Sequence, residues 1–379
     1  MKAMSYRGPY RVRVEDFPMP QLQHPRDAIV KVRSACICGS DLHLYHGMVP
    51  DTRVGTTFGH EFIGEVVEVG TAVTNLKVGD SVLVPFNIAC GECYFCQSEL
   101  YSCCHESNAM SSAMGGIFGY SHTAGGFAGG QAEYVRVPFA DFGPTLIPEW
   151  LDFDDALLLT DVVPTGYHAA LMGEIRPGDT VVVFGAGPVG IIAAKCAWLF
   201  GAARVIVLDH YDYRLEFVSN YADCEAYNFS KMKDPVVFLK EMTGGLGADV
   251  CIDAVGADAT GNLMQGILGK KLLLQGGSAT ALHWAINSAR KGGLVSVVGV
   301  YGPNGNLIPV GNILNKGITL RASQTPVKKY LPRLFEHIQS GVLKPSQIIT
   351  HRLPLDALPD AYRMFSSKLD GCIKPVLIP

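Results

Sequence analysis

The stretch Val181-Val-Val-Phe-Gly185-Ala-Gly187-Pro-Val-Gly190 sets four apolar residues directly before a G-x-G-x-x-G run. An apolar strand, a glycine turn and then helix-forming residues make a strand–turn–helix unit suited to a dinucleotide pyrophosphate. Gly185 permits the tight turn, Gly187 lets backbone amides approach the phosphates, and Gly190 lets helix and strand pack closely. The helix N-terminus adds free N–H groups and a positive dipole end. Gly185, Gly187, Pro188, Val189 and Gly190 are therefore the candidate pyrophosphate-binding residues. In a chain with 42 glycines the motif alone is weak, and an ordinary Gly-rich turn is the alternative. Its surroundings strengthen it. Asp209 ends the next apolar run 19 residues after Gly190, near the ~20 expected for a carboxylate that binds the adenosine ribose. A carboxylate there repels a 2′-phosphate, so NAD is expected over NADP.

Working outward, apolar runs at Val181–Phe184, Arg204–Leu208, Ala248–Val255 and Leu294–Val300 alternate with helical material such as Val189–Phe200. Strands alternating with helices predict a doubly wound parallel sheet. Before about Phe142 the texture differs. Short Val-bearing runs (Ala28–Val32, Ile63–Val69, Ser81–Val84, Ala132–Val137) are separated by Gly and Pro, and predict a β-rich, barrel-like domain. Met110–Gly130, rich in Gly and Ser, predicts a long irregular loop near a site. After about Arg321 a helix-like stretch, Lys329–Ile338, precedes a tail ending Ile373–Ile378, expected to return to the first domain. The expected class is α/β, with a β-rich domain over 1–155, a parallel-sheet domain over 156–321 and a return segment over 322–379.

Four cysteines, Cys90, Cys93, Cys96 and Cys104, are spaced C-x2-C-x2-C-x7-C, and one irregular lobe at about 88–106 can wrap them around a single Zn²⁺. A redox pair and a [4Fe–4S] cluster are the alternatives. Cys103 is the expected spare, though the spacing alone permits its exchange with Cys104. The chain has 379 residues, a net charge of −4 and no basic run, which argues against nucleic-acid and anionic-membrane partners. Eleven cysteines, and an N-terminus (Met1–Tyr10) without an apolar signal core, predict reduced thiols and a cytoplasmic location. Thr180–Leu208, the most apolar region, is interrupted by glycines, Pro188, Lys195 and Arg204, and divides into strand, helix and strand rather than a membrane span.

Further segments carry a family resemblance. Ile37-Cys-Gly-Ser-Asp41, Gly59-His-Glu61, Gly129-Gly-Gln-Ala-Glu-Tyr-Val135 and Thr160-Asp-Val-Val-Pro-Thr-Gly-Tyr167 join the glycine turn. End to end, the chain resembles the zinc-dependent medium-chain alcohol dehydrogenases. Within them it is most similar to the glutathione-independent formaldehyde dehydrogenase branch, through Val84–Cys93, Asp161–His168 and Gln324–Tyr330. The resemblance implies a GroES-like catalytic domain split around a Rossmann domain. It also implies a second zinc, catalytic, on Cys38, His60 and Asp161, which leaves a fourth position for water or substrate. Each of the three has a bland alternative: a buried Cys, a turn His, a helix-capping carboxylate.

By the same resemblance Glu61 is an occasional extra ligand, weighed against a role beside the ligands. Asp41 orients His60 by a hydrogen bond, and Ser40 passes a proton through the cofactor ribose to His43 and water. Thr165 lies against the nicotinamide, Val298 and Val300 offer backbone groups to its carboxamide, and Lys374 stands near the pyrophosphate. A surface lysine is the alternative for Lys374. His105, Phe118, Tyr120, His122, Phe127 and Trp284 are candidates for substrate contacts or for packing.

The chain is longer than simple relatives over about Gly256–Ala281, where a lid over the cofactor is expected. The implied reaction is hydride transfer from a zinc-bound primary alcohol or hydrated aldehyde to NAD+. A secondary-alcohol or polyol dehydrogenase, and a non-catalytic zinc-stabilised NAD-binding protein, are the competing functions. A homotetramer is expected ahead of a dimer, meeting at a sheet edge near Leu294–Leu307.

Overall fold

The computed structural model describes residues 1–256, 278–301 and 308–379. They form two compact units, Met1–Pro164 with Pro326–Pro379, and Thr165–Thr325. The first unit opens with an antiparallel hairpin, β1 (Lys2–Tyr6) and β2 (Val12–Asp16). Then come β3 (Ala28–Cys36), β4 (Phe62–Val69), β5 (Ser81–Val84), the short pair β6 (Asn87–Ile88) and β7 (Gly116–Ile117), β8 (Tyr134–Val137) and β9 (Thr145–Leu146). Val30, Val32, Phe62, Val66, Val82 and Val84 fill one core of this unit, because β-branched and aromatic residues pack well on a pleated face.

The second unit holds β10 (Thr180–Phe184), β11 (Arg204–Asp209), β12 (Glu225–Asn228), β13 (Ala248–Asp253), β14 (Ala289–Val297) and β15 (Thr319–Ala322). Their spatial order is β12-β11-β10-β13-β14-β15, and every neighbouring pair is parallel. Strands covered on both faces read as continuous Val and Ile runs, which is why β10 and β11 carry no polar alternation. The strand order reverses between β10 and β13, so the crevice where such sheets bind ligands lies beyond the end of β10.

The chain then returns to the first unit. β16 (Ile349–Pro354) pairs with β17 (Lys374–Ile378), and β17 pairs antiparallel with β3, completing a sheet ordered β16-β17-β3-β4-β5-β9 with β8 on β3. The helix Val327–Gln339 takes the place of the helix expected over Lys329–Ile338.

One expectation changes and one falls outside the described residues. β14 lies between β13 and β15, so among the described residues the edge strands of the parallel sheet are β12 and β15, not the segment near Leu294–Leu307, of which 302–307 lie outside the described residues. The insert expected over Gly256–Ala281 lies almost wholly outside them too, and with it the lid. No described helix is long and apolar enough to cross a membrane.

Candidate metal centres and dinucleotide turn

Sheet topology gathers the first cluster. Cys38 follows β3, His60 and Glu61 immediately precede β4, and β3 and β4 run antiparallel with Ala35 opposite Phe62. The end of one strand and the start of the next therefore meet at one edge of the sheet. The main chain locks this junction: the Cys36 N–H donates to the Glu61 carbonyl (3.0 Å) and the Cys38 N–H to Asp41 Oδ2 (2.9 Å). Asp161 is held beside Phe86, whose N–H donates to the Thr160 carbonyl (3.0 Å).

One donor atom each from Cys38, His60, Glu61 and Asp161 lies within 4.8 Å of the others, and all four residues are buried. His60 Nε2 is 3.3 Å and Cys38 Sγ 3.8 Å from Asp161 Oδ2, and Ser40 Oγ is 3.8 Å from Cys38 Sγ.

The donor set fits a divalent cation. Burial disfavours the charged His60 imidazole, but Asp41, Cys38 and Asp161 outweigh it and hold its pKa well above the ordinary range. A pocket that stabilises positive charge at that nitrogen suits a metal ion equally. Burial, then Glu61, pushes the Cys38 thiol up, so a cation is needed to keep it a thiolate.

Glu61 is neutralised separately. Lys374, 1% exposed, donates from Nζ to Glu61 Oε1 at 2.6 Å, while Oε2 has no hydrogen-bond partner among the described residues. Burial alone would lower the Lys374 pKa, but Glu61, Cys36 and Cys38 raise it. With that pair balanced, Cys38 and Asp161 carry two negative charges against the two positive charges of Zn²⁺.

Lys374 is therefore not the surface residue weighed as its alternative. Asp41 also departs from expectation. Its Oδ1 is 3.4 Å from His60 Nδ1, a charge contact without hydrogen-bond geometry. Its Oδ2 instead accepts from Cys38 and from Gln131 Nε2 (3.2 Å), while Gln131 Oε1 accepts from the buried Tyr362 hydroxyl (2.8 Å). Gln131 sits in one of the resembling segments, yet nothing in the sequence joins it to Tyr362. His43 lies on the short helix Gly39–Tyr45 three residues after Ser40, and is buried.

The second cluster is Cys90, Cys93, Cys96 and Cys104, with Sγ–Sγ separations of 3.9 Å for Cys90–Cys96 and for Cys93–Cys104. A tetrahedron with ~2.3 Å Zn–S bonds has edges of about 3.8 Å, whereas a disulfide would bring two sulfurs to about 2.05 Å. Backbone N–H groups of Glu92 and Cys93 donate to Cys90 Sγ, and that of Cys90 to Cys104 Sγ (3.3–3.4 Å). Hydrogen bonding from Cys96 and the backbone holds the Cys104 thiol below its ordinary range. Cys103 lies outside the cluster, and Cys104 supplies its fourth sulfur.

In the second unit the glycine turn has the backbone its motif requires. Gly185 has φ +98°, and a Cβ on Gly190 would lie 1.9 Å from the Gly185 carbonyl oxygen, so only glycine fits either position. The helix Pro188–Leu199 starts at the turn. Asp209 braces the turn: Oδ2 accepts from Ala186 N (2.7 Å), and Oδ1 from His210 N (2.6 Å) and Tyr211 N (3.0 Å). Arg214 is buried, with its guanidinium 3.8 Å from the position of a Gly187 Cβ.

Asp253, at the end of β13, is fully buried. Its side chain accepts from Val255 N (3.0 Å), Gly256 N (3.1 Å) and Tyr301 OH (2.5 Å), and its carbonyl from Val298 N (3.1 Å) and Gly299 N (3.0 Å). The Val298 N–H is thus already used, which leaves that residue its carbonyl for a ligand. Thr165 is half-buried on the helix Val162–Met172.

Several substrate-contact candidates are packing residues. Phe118 is buried edge-on against Phe62 (5.3 Å) with Phe127 beside it, and Trp284 packs against Phe229 (5.0 Å) in the second unit.

Residues 24–148 match the family model described as the alcohol dehydrogenase GroES-like domain, and residues 188–271 the one described as zinc-binding dehydrogenase. The chain is 45% identical to the uncharacterised zinc-type alcohol dehydrogenase-like protein AdhB of Bacillus subtilis, covering 100% of both chains. It is 35% identical to a glutathione-independent formaldehyde dehydrogenase of Pseudomonas aeruginosa, over 97% of this chain and 95% of that one. Among solved structures, the alcohol dehydrogenase TADH from Thermus sp. ATN1 superposes with a TM-score of 0.85 at 35% identity, over 100% of this chain and 99% of that one.

Proposed function

This chain belongs to the zinc-dependent medium-chain alcohol dehydrogenases, and from that premise we propose that it oxidises a primary alcohol or a hydrated, formaldehyde-like aldehyde with NAD+. Its coarser character, a zinc-dependent nicotinamide-linked oxidoreductase, follows from the family and from the two donor clusters. The observation that carries the proposal is the convergence of Cys38, His60, Asp161 and Glu61 within 4.8 Å, with Ser40 Oγ 3.8 Å from Cys38 Sγ. Zinc held by the first three supplies a Lewis acid that lowers the pKa of a substrate hydroxyl.

The chain's own residues do the rest. Ser40 takes the hydroxyl proton and His43 relays it outward. Asp41 keeps negative charge behind His60. Glu61, with one oxygen on Lys374 and the other unpartnered, stands ready as a further donor. Asp209 holds the adenosine ribose and disfavours a 2′-phosphate, which supports NAD over NADP. Val298 and Val300 receive the carboxamide, and Thr165 packs on the nicotinamide. The relative from Pseudomonas aeruginosa supports the formaldehyde-like substrate class. Eleven cysteines without a disulfide support a cytoplasmic site of action, and the exposed edge β15 supports a homo-oligomer, a tetramer ahead of a dimer.

NADH formation, followed by absorbance across short primary alcohols, formaldehyde and polyols, tests the proposal. Turnover of short primary alcohols or formaldehyde, abolished by Asp161→Ala in a folded protein, is the expected result. Turnover confined to polyols or secondary alcohols overturns the substrate class. Turnover that survives Asp161→Ala overturns the site.

A further inference from the structure

The first unit contains a cleft of ≈ 550 Å³ between the β1–β2 hairpin and the helix Leu358–Ser366, and this cleft shares no residue with either metal cluster or the dinucleotide turn. Its volume lies in the range of small-molecule sites. Buried Val12 and Tyr45 are apolar lining, and the polar lining is strongly basic. Four guanidinium groups, Arg7, Arg11, Arg13 and Arg363, face two carboxylates, in a chain whose net charge is −4. Both carboxylates are engaged. Glu15 takes Arg7 Nε at 2.9 Å, and Asp360 takes Arg363 at 2.8 Å. Arg11 and Arg13 form no close ion pair among the described residues, although the Arg13 charge also acts on Glu15. Four guanidinium groups against two carboxylates leave the cleft with a net charge of about +2.

A second observation points to the same place. Tyr10, on the cleft wall, has φ +60°, a conformation that a bulky L-residue rarely adopts. The hairpin holds it there. The Tyr10 N–H donates to the Tyr45 carbonyl (2.6 Å), Arg11 N to Gly8 O (2.9 Å), and Arg7 N to Arg11 O (2.8 Å). The result is a tyrosine 63% exposed, with its ring 5.0 Å from that of His46. Strain of this kind persists where the surroundings over-determine it, and it clusters at binding sites. Glycine or asparagine would make the turn with less strain; the tyrosine ring instead packs edge-on against Tyr45 (5.5 Å) and lies beside His46, with most of the residue left exposed.

We propose that this cleft binds a planar aromatic phosphate monoester, with its dianion on Arg11 and Arg13 and its ring against Tyr10. Guanidinium forks match phosphate oxygens in pairs. A phosphate monoester carries nearly two charges at neutral pH, equal to the unbalanced charge of the cleft.

Calorimetric titration of the zinc-loaded, NAD+-saturated protein with 4-nitrophenyl phosphate tests this, because NAD+ then blocks the dinucleotide turn. The expected result is saturable binding below about 1 mM, weakened about tenfold in Arg11→Gln/Arg13→Gln. Tyr10→Gly suits the positive φ and should hold or raise the melting temperature, yet weaken binding about fivefold, which a purely structural tyrosine would not do. No saturable binding up to about 5 mM, or an affinity unchanged in the double arginine variant, overturns the site. Inorganic phosphate binding as tightly as the aryl ester, with Tyr10→Gly unaffected, overturns the assigned ligand class.

Discussion

At the scale of single residues the buried pair Glu61–Lys374 does the most unexpected work. Each is at most 1% exposed, and the two sit 313 positions apart in sequence. Removing one partner of a buried pair strands the other charge, at a cost of about 3–5 kcal/mol, whereas replacing both is often close to neutral. Lys374→Met should therefore lower the melting temperature strongly, and Glu61→Gln/Lys374→Met should recover most of the loss in a thermal melt. Equal melting of the single variant and the wild type would show the pair to be energetically idle. Cys38, His60 and Asp161 were found through family resemblance, because no spacing rule links positions 38, 60 and 161. Lys374 read equally well as a surface residue, since nothing local to the last strand says that its ammonium meets a carboxylate across the sheet.

Among elements, the glycine turn and the four-cysteine lobe were legible because each is local. Strand, turn and helix follow one another within the chain, and all four sulfurs come from fifteen consecutive residues. What the motif did not reveal is that Asp209 also braces the turn, accepting three backbone N–H groups and keeping acceptor capacity for a ribose hydroxyl. A Cβ at position 190 collides with the Gly185 carbonyl, so Gly190→Ala should weaken NAD+ binding at least about tenfold in a fluorescence titration, with zinc content unchanged. Undiminished affinity would mean that the turn takes no part in holding the cofactor.

The lobe has only a small core of its own, Ala89 and three of the cysteines with Tyr101, Phe139 and Phe142 against it. Metal should therefore supply much of its folding energy. Chelation is expected to open it to proteolysis between Tyr94 and His105, while the Thr165–Thr325 unit keeps its NAD+ affinity. A lobe that resists protease after its zinc has been removed would contradict this.

For the whole molecule, the change in texture after about Phe142 predicts two domains, and the apolar last strand predicts a return segment. The sequence did not show which strand ends the parallel sheet beside β14: β15 is short and polar-flanked, and only hydrogen-bonding partners identify it as an edge among the described residues. Global stability should weaken in acid. Glu15, through Arg7, Asp212, through Asn228 and Lys231, and Glu225, through Arg204, all sit below the ordinary carboxylate range. A depressed folded-state pKa adds stability that is present above the unfolded value, 4.5 for the two glutamates and 3.8 for Asp212, and is lost as pH falls through the folded one. Melting temperature should therefore fall between about pH 5 and pH 3, less steeply in Glu225→Gln; an identical slope would remove Glu225 from the explanation.

Two separate zinc sites, one closed by four cysteines and one built to take substrate, underlie everything proposed for this enzyme. Zinc counted per chain by mass spectrometry, in the wild type and in Cys38→Ala/His60→Ala, bears on both together. Two zincs in the wild type and one in the variant, with the protein still folded and turnover gone, are expected. Two zincs in both proteins, or a single zinc in a wild type that turns over, would mean that the cluster at Cys38, His60 and Asp161 is not the metal centre of the reaction.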